Sequence, residues 1–136
     1  MARNEKILIG LLRVCGSLML LAFPAAAMPS AWMDQLHKGL LDAPLPHGPI
    51  VEYLARSASL LYGLNGVGTL VIAADVRRYS PLVRLWGLAH LLGGLALIAI
   101  DLTAGLPGLW VLGEGPVLIP IGVATLLLER SVRMAT

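Results

Sequence analysis

The stretch Leu85-Trp86-Gly87-Leu88-Ala89-His90-Leu91-Leu92-Gly93-Gly94-Leu95-Ala96-Leu97-Ile98-Ala99-Ile100 decides the fold. It holds sixteen residues without a formal charge, closed by Arg84 on one side and Asp101 on the other. With Ser80 as N-cap and Pro81 at the first helical position, the helix it belongs to is expected to run over about 81–104. A helix needs about 20 apolar residues to cross a hydrocarbon core. Three further segments meet that length, at about 7–28, 53–75 and 110–128. The last contains Pro116 and Pro120, which predict a kink or an unwound first turn.

Composition agrees with this reading. The chain has 136 residues, 57% of them hydrophobic and only 13% charged, against roughly 25% charged in soluble domains. So small a soluble protein has too much surface to cover with so few charges. The expectation is one all-α domain over 1–136: an integral membrane four-helix bundle with a short external interfacial helix. Cys15 is the only cysteine, which excludes an intramolecular disulfide and a Cys-x-x-Cys pair.

Basic residues set the orientation. Arg3, Lys6, Arg13, Arg77, Arg78, Arg84, Arg130 and Arg133 share one side of a four-span chain, leaving Lys38 and Arg56 on the other. The positive-inside rule then puts both termini in the cytoplasm. The first span has a rival reading. Its basic start, the apolar run Val14 to Phe23, then Pro24 and Ala25-Ala26-Ala27 also fit a cleavable signal peptide ending at Ala27.

The external segment, 29–52, divides in two. Within Pro29 to Leu41, Trp32, Met33, Leu36, Leu40 and Leu41 recur at near-helical spacing, with Asp34, Gln35 and Lys38 opposite. This predicts an amphipathic helix lying in the outer interface. The run Ala43-Pro44-Leu45-Pro46-His47-Gly48-Pro49 is too rich in proline for a helix and predicts a strap.

Small residues mark packing faces: Ser59, Gly63 and Gly66 in the second span, answered by Gly87, Ala89, Gly93 and Gly94 in the third. Asn65 and His90 lie inside spans two and three, where polar groups are expected to face the bundle interior. An interhelical hydrogen bond between them, or one to a backbone carbonyl, is the plain account. The sharper one makes His90 a haem ligand or proton carrier. Arg13 is expected to snorkel to the surface or to pair with Asp75 or Glu129.

At the outer end, antiparallel spans are expected to bring Glu52, Arg56, Asp101 and Glu114 to one depth, with His37 over them. The structural reading is an ion-pair and hydrogen-bond network. The functional one is a polar pocket for a quinone head group, a metal ion or a small solute. His37, Glu52 and Glu114 suit a divalent metal chemically, but their spacing matches no metal motif, so no metal and no catalytic residue is assigned.

Certain runs carry a resemblance. Met28-Pro29-Ser30-Ala31-Trp32-Met33 with His37, Pro49-Ile50-Val51-Glu52-Tyr53-Leu54-Ala55-Arg56-Ser57, Asp75-Val76-Arg77-Arg78-Tyr79 and Gly113-Glu114-Gly115-Pro116 resemble small bacterial four-helix membrane proteins of uncharacterised function. The size and helix layout are similar to the DoxX-like group, some members of which are linked to quinone-dependent sulfur oxidation. No motif in this chain carries that activity across.

Nothing here matches a phosphate-binding loop, and topology accounts for the basic residues without nucleic acid. The functional expectations, in order, are a non-catalytic accessory or structural subunit of a larger membrane assembly, a membrane redox or quinone-handling protein, and a small transporter. The partners implied are the lipid bilayer and another protein or further copies of the chain. No cofactor is required, although a quinone is compatible with the outer cluster.

Overall fold

The computed structural model describes residues 3–41, 43–46 and 48–135. The fold is all-α, with no strand among the described residues. Seven helices follow in order: α1 Arg3–Leu20, α2 Phe23–Ala27, α3 Ser30–Leu41, α4 Pro49–Ala74, α5 Ser80–Ala104, α6 Gly108–Gly113 and α7 Gly115–Met134. Four helical segments are long and apolar enough to cross a membrane: Arg3–Ala27, Pro49–Ala74, Ser80–Ala104 and Gly108–Met134. The chain is thus built as a multi-pass membrane protein.

The boundaries differ from expectation where proline acts. Pro49, expected in the strap, is the first residue of α4, so this helix begins four residues earlier than 53. A missing N–H costs nothing in a first turn, whose donors have no intrahelical partner. The fourth span breaks at Glu114, with φ −105° and ψ −82°. Pro116 then sits in the first turn of α7, and Pro120 is accommodated inside it. The first span is also interrupted, at residues 21–22, ahead of Pro24. The helix expected after Pro29 is present as α3, Ser30–Leu41, and the strap is non-helical over 44–46. His47 and the side chain of Leu41 lie outside what is described.

The chain forms two compact units. One comprises 1–12 with 72–136, and its centre is the antiparallel pair α5 and α7. Glycines make the contact. A Cβ added at Gly122 would lie 2.6 Å from the carbonyl oxygen of Gly87, and one at Gly115 would lie 2.6 Å from that of Gly94. Both partners are spaced by seven residues, the repeat that keeps one seam of each helix in contact. Val83, Trp86 and Val132 are buried there, with Leu8 and Leu12 of α1. At its far end α5 closes with Gly105 at φ +69°. The Leu106 N–H reaches Asp101 O at 3.0 Å and the Gly105 N–H reaches Leu102 O at 3.3 Å. That is the Schellman pattern, followed by Pro107.

The second unit, 13–71, is also closed by glycine. A Cβ at Gly66 would come within 2.8 Å of Gly16 O, and one at Gly63 would lie 2.6 Å from the ring of Phe23. The glycines of the second span therefore receive the first span, and Gly87 and Gly94 receive the fourth. Gly93 has no atom within 4 Å of an added Cβ.

Replacing Gly122 by alanine forces backbone apart. It is expected to cost about 1–3 kcal/mol, read as a lower melting temperature in detergent. Gly93→Ala is expected to be neutral or slightly stabilising, because it removes only unfolded-chain freedom.

Candidate functional site

The densest polar constellation lies in the first unit, where α1 and α5 begin and α7 ends. Two carboxylates are buried there, Glu5 at 5% exposure and Glu129 at 3%. Arg77, in the turn before α5, meets Glu5 through Nε at 2.9 Å and Nη2 at 3.0 Å. This two-pronged geometry suits a planar guanidinium against a carboxylate. Glu129 receives the Ser80 hydroxyl at 2.6 Å and Arg84 Nη2 at 3.4 Å. Arg133, one turn along α7, stands 3.8 Å away. Asn4 Nδ2 donates to Ser131 Oγ at 2.6 Å, joining α1 to α7.

Local sequence explains the convergence. Glu5 and Leu8 share one face of α1, so the buried aliphatic brings the carboxylate with it. Glu129 and Arg133 are four apart on α7, and Ser80 and Arg84 four apart on α5. The Glu5 hydrogen bond and charge hold the Arg77 guanidinium above its already high pKa. Beside these groups is a cleft of about 180 Å³ lined by Leu8, Val76, Arg77, Ser80, Glu129, Val132 and Arg133.

Sequence reasoning missed this site because it assigned the arginines to topology alone. The available signal was the pair of carboxylates embedded among basic residues at helix ends. Arg13 was expected to snorkel or to pair with Asp75 or Glu129. Asp75 Oδ1 accepts the Arg78 N–H at 3.0 Å, and Glu129 is taken by Arg84 and Arg133. Arg13 is exposed in a shallow groove with Val14, Ser17, Leu18 and Leu21.

The expected outer cluster is divided between the units. In the second, Arg56 donates to Ala26 O at 3.4 Å and to Ser30 Oγ at 3.5 Å, tying α4 to the start of α3. His37 Nδ1 lies 2.7 Å from Ala43 O. Asp34 binds Lys38 at 2.8 Å and accepts the Leu45 N–H at 3.0 Å, so α3 carries its own strap. Glu52 is half-buried in the first turn of α4. In the first unit, Glu114 accepts the Trp110 indole N–H at 3.0 Å. Asp101 is 2% exposed, and its Oδ2 has no hydrogen-bond partner. Among the described residues, no three His, Cys, Asp or Glu side chains are grouped to hold a metal ion.

The two intramembrane polar residues part company. His90 Nδ1 bonds to Trp86 O, four residues back, at 2.9 Å, and its ring stacks on the Trp86 indole at 3.6 Å. The carbonyl belongs to the same helix, α5, rather than to a neighbouring one. Donation from Nδ1 leaves Nε2 as the acceptor nitrogen. Asn65 was expected inward, but its side chain is exposed on α4. The helix face that turns inward in this unit is the one carrying Gly63, Gly66 and Thr69, and Asn65 lies off it.

Compared with family models, curated proteins and solved structures, the chain finds no match.

Glu129→Gln keeps an acceptor for Ser80 but removes the charge that Arg84 and Arg133 face. It is expected to lower stability by about 1–3 kcal/mol, measured by thermal unfolding in detergent, while Arg78→Gln stays within about 0.5 kcal/mol. Because the Arg77 pKa is raised, its contribution is complete below the ordinary arginine value and is lost only in strong alkali. The stability difference between the wild type and Arg77→Gln is therefore expected to be flat from about pH 7 to about pH 10.

Proposed function

We propose that this protein is a non-catalytic structural or accessory subunit of a larger membrane assembly, joined to its neighbour through α4. The observation that carries this reading is the exposure of Asn65 within an apolar span. Asn65 lies between three and four residues from the centre of Pro49–Ala74, about 5 Å along the axis. Around it Leu61 is 66% exposed and Leu64 53% exposed, and Gly68 has open space where a Cβ would be.

A carboxamide facing hydrocarbon loses the hydrogen bonds that water would supply, and helix–helix contact restores them. Gly68, one turn on, lets a second backbone approach closely. The partner is thus a transmembrane helix with a hydrogen-bonding side chain near mid-bilayer. Location in a bacterial inner membrane with cytoplasmic termini is part of the same proposal, supported by the positive-inside asymmetry.

The test is gentle solubilisation from native membranes followed by native mass spectrometry. Defined complexes that dissociate in Asn65→Leu, with the chain still folded, support the reading. A lone monomer in both forms overturns it. A homo-oligomer lost in Asn65→Leu narrows the partner to a second copy.

One observation favours a second reading, quinol handling at the outer end. The orphaned Asp101 Oδ2 would be satisfied by a donor such as a quinol hydroxyl. Replacing Asp101 by leucine is expected to leave stability unchanged or higher, because an unpartnered buried polar atom is removed. On this second reading it also abolishes quinol binding, measured by extraction of bound quinol from the purified protein. Retention of quinol in Asp101→Leu removes the assignment.

A further inference from the structure

We infer that the cleft beside Glu129 is a binding site for a phosphate group, carried by an anionic phospholipid headgroup. Three features converge on this, all within the first unit.

Charge comes first. Arg77 faces Glu5, with Asp75 also in Coulombic reach, and Arg84 and Arg133 face Glu129; the cleft itself is lined by two guanidiniums, Arg77 and Arg133, and one carboxylate, Glu129. Glu5 takes two N–H groups of Arg77, and a guanidinium has five. The Arg133 side chain is 56% exposed and its Nε stands 3.8 Å from Glu129, too far for a good hydrogen bond. Arginines held in place by buried carboxylates, with donors left over, are suited to phosphate oxygens.

The second feature is size. At about 180 Å³ the cleft is more than ten times the roughly 10–15 Å³ that one water needs. It is smaller than the roughly 300–1,000 Å³ of pockets that enclose a whole organic ligand. A headgroup phosphate fits that interval, with the rest of the lipid outside.

The third is polarity by position. Leu8, Val76 and Val132 make an apolar wall, while Arg77, Ser80, Glu129 and Arg133 supply the polar lining. The cleft lies where α1 and α5 start and α7 ends, the level of the lipid headgroups if the helices span the bilayer. A headgroup site at this level needs an apolar side for glycerol and the first acyl carbons, and a cationic side for the phosphate. Basic pockets between transmembrane helices are used in this way for anionic headgroups. Free phosphate would use the arginines and leave the apolar wall without a role.

The test uses the full chain purified in a neutral detergent, with native mass spectrometry and thermal shift as readouts. The ligands are short-chain phosphatidylglycerol, phosphatidylcholine of equal chain length, and inorganic phosphate. Phosphatidylglycerol is expected to bind and stabilise, phosphatidylcholine to bind several-fold more weakly, and inorganic phosphate to have little effect. Arg133→Gln is expected to weaken phosphatidylglycerol binding about fivefold. Arg130→Gln removes an exposed charge outside the cleft and is expected to leave binding unchanged. Melting temperature without lipid shows whether each variant is folded. Equal loss in both variants would reduce the effect to general charge attraction and overturn the site. Equal stabilisation by inorganic phosphate would overturn the lipid assignment.

Discussion

Close backbone approach at glycine is the constraint on which the rest of the molecule depends. In lipid no hydrophobic force drives one apolar helix against another, so packing and polar contacts hold helices together. The pairs Gly87–Gly122 and Gly94–Gly115 let α5 and α7 approach until one backbone touches the other. That spacing leaves Ser80 and Arg84 at the start of α5 within reach of Glu129 near the end of α7. With leucines in the seam, the same polar side chains would not meet. The ion pairs are a consequence of the glycines, and the glycines do not depend on them.

Much of this was legible in the sequence. The uncharged run 85–100, the flanking basic residues and the prolines gave four spans, a shorter helix between the first two and a strap, because the bilayer imposes length and polarity directly on composition. Which span packs on which was not legible. Gly63, Gly66, Gly87 and Gly94 announce close contacts, yet a glycine carries no side chain that could name its partner. Rotation about the helix axis was equally hidden. Asn65 falls one residue short of Gly66, a step of about 100°, and that step separates the packed face from the exposed one.

The polar residues show the same division between local and distant information. His90 with Trp86, Lys38 with Asp34 and Arg133 with Glu129 are all four residues apart, so helical geometry alone brings them together. The Glu5–Arg77 contact spans 72 residues and Asn4–Ser131 spans 127. Each links helix ends whose proximity follows only from tertiary packing. Arginine there serves two purposes, topology and ion pairing, and the first conceals the second in a linear reading.

That long separation bears on biosynthesis. Glu5 leaves the ribosome 72 residues before Arg77, an interval of roughly four to fourteen seconds at about 5–20 residues per second. During that time the carboxylate is without Arg77, and the cations nearest to it in the sequence are Arg3 and Lys6. The Asn4–Ser131 contact waits longer, for 127 residues of synthesis. The end of α1 is therefore locked well after the helix itself is made, only when Arg77 and then Ser131 have followed it.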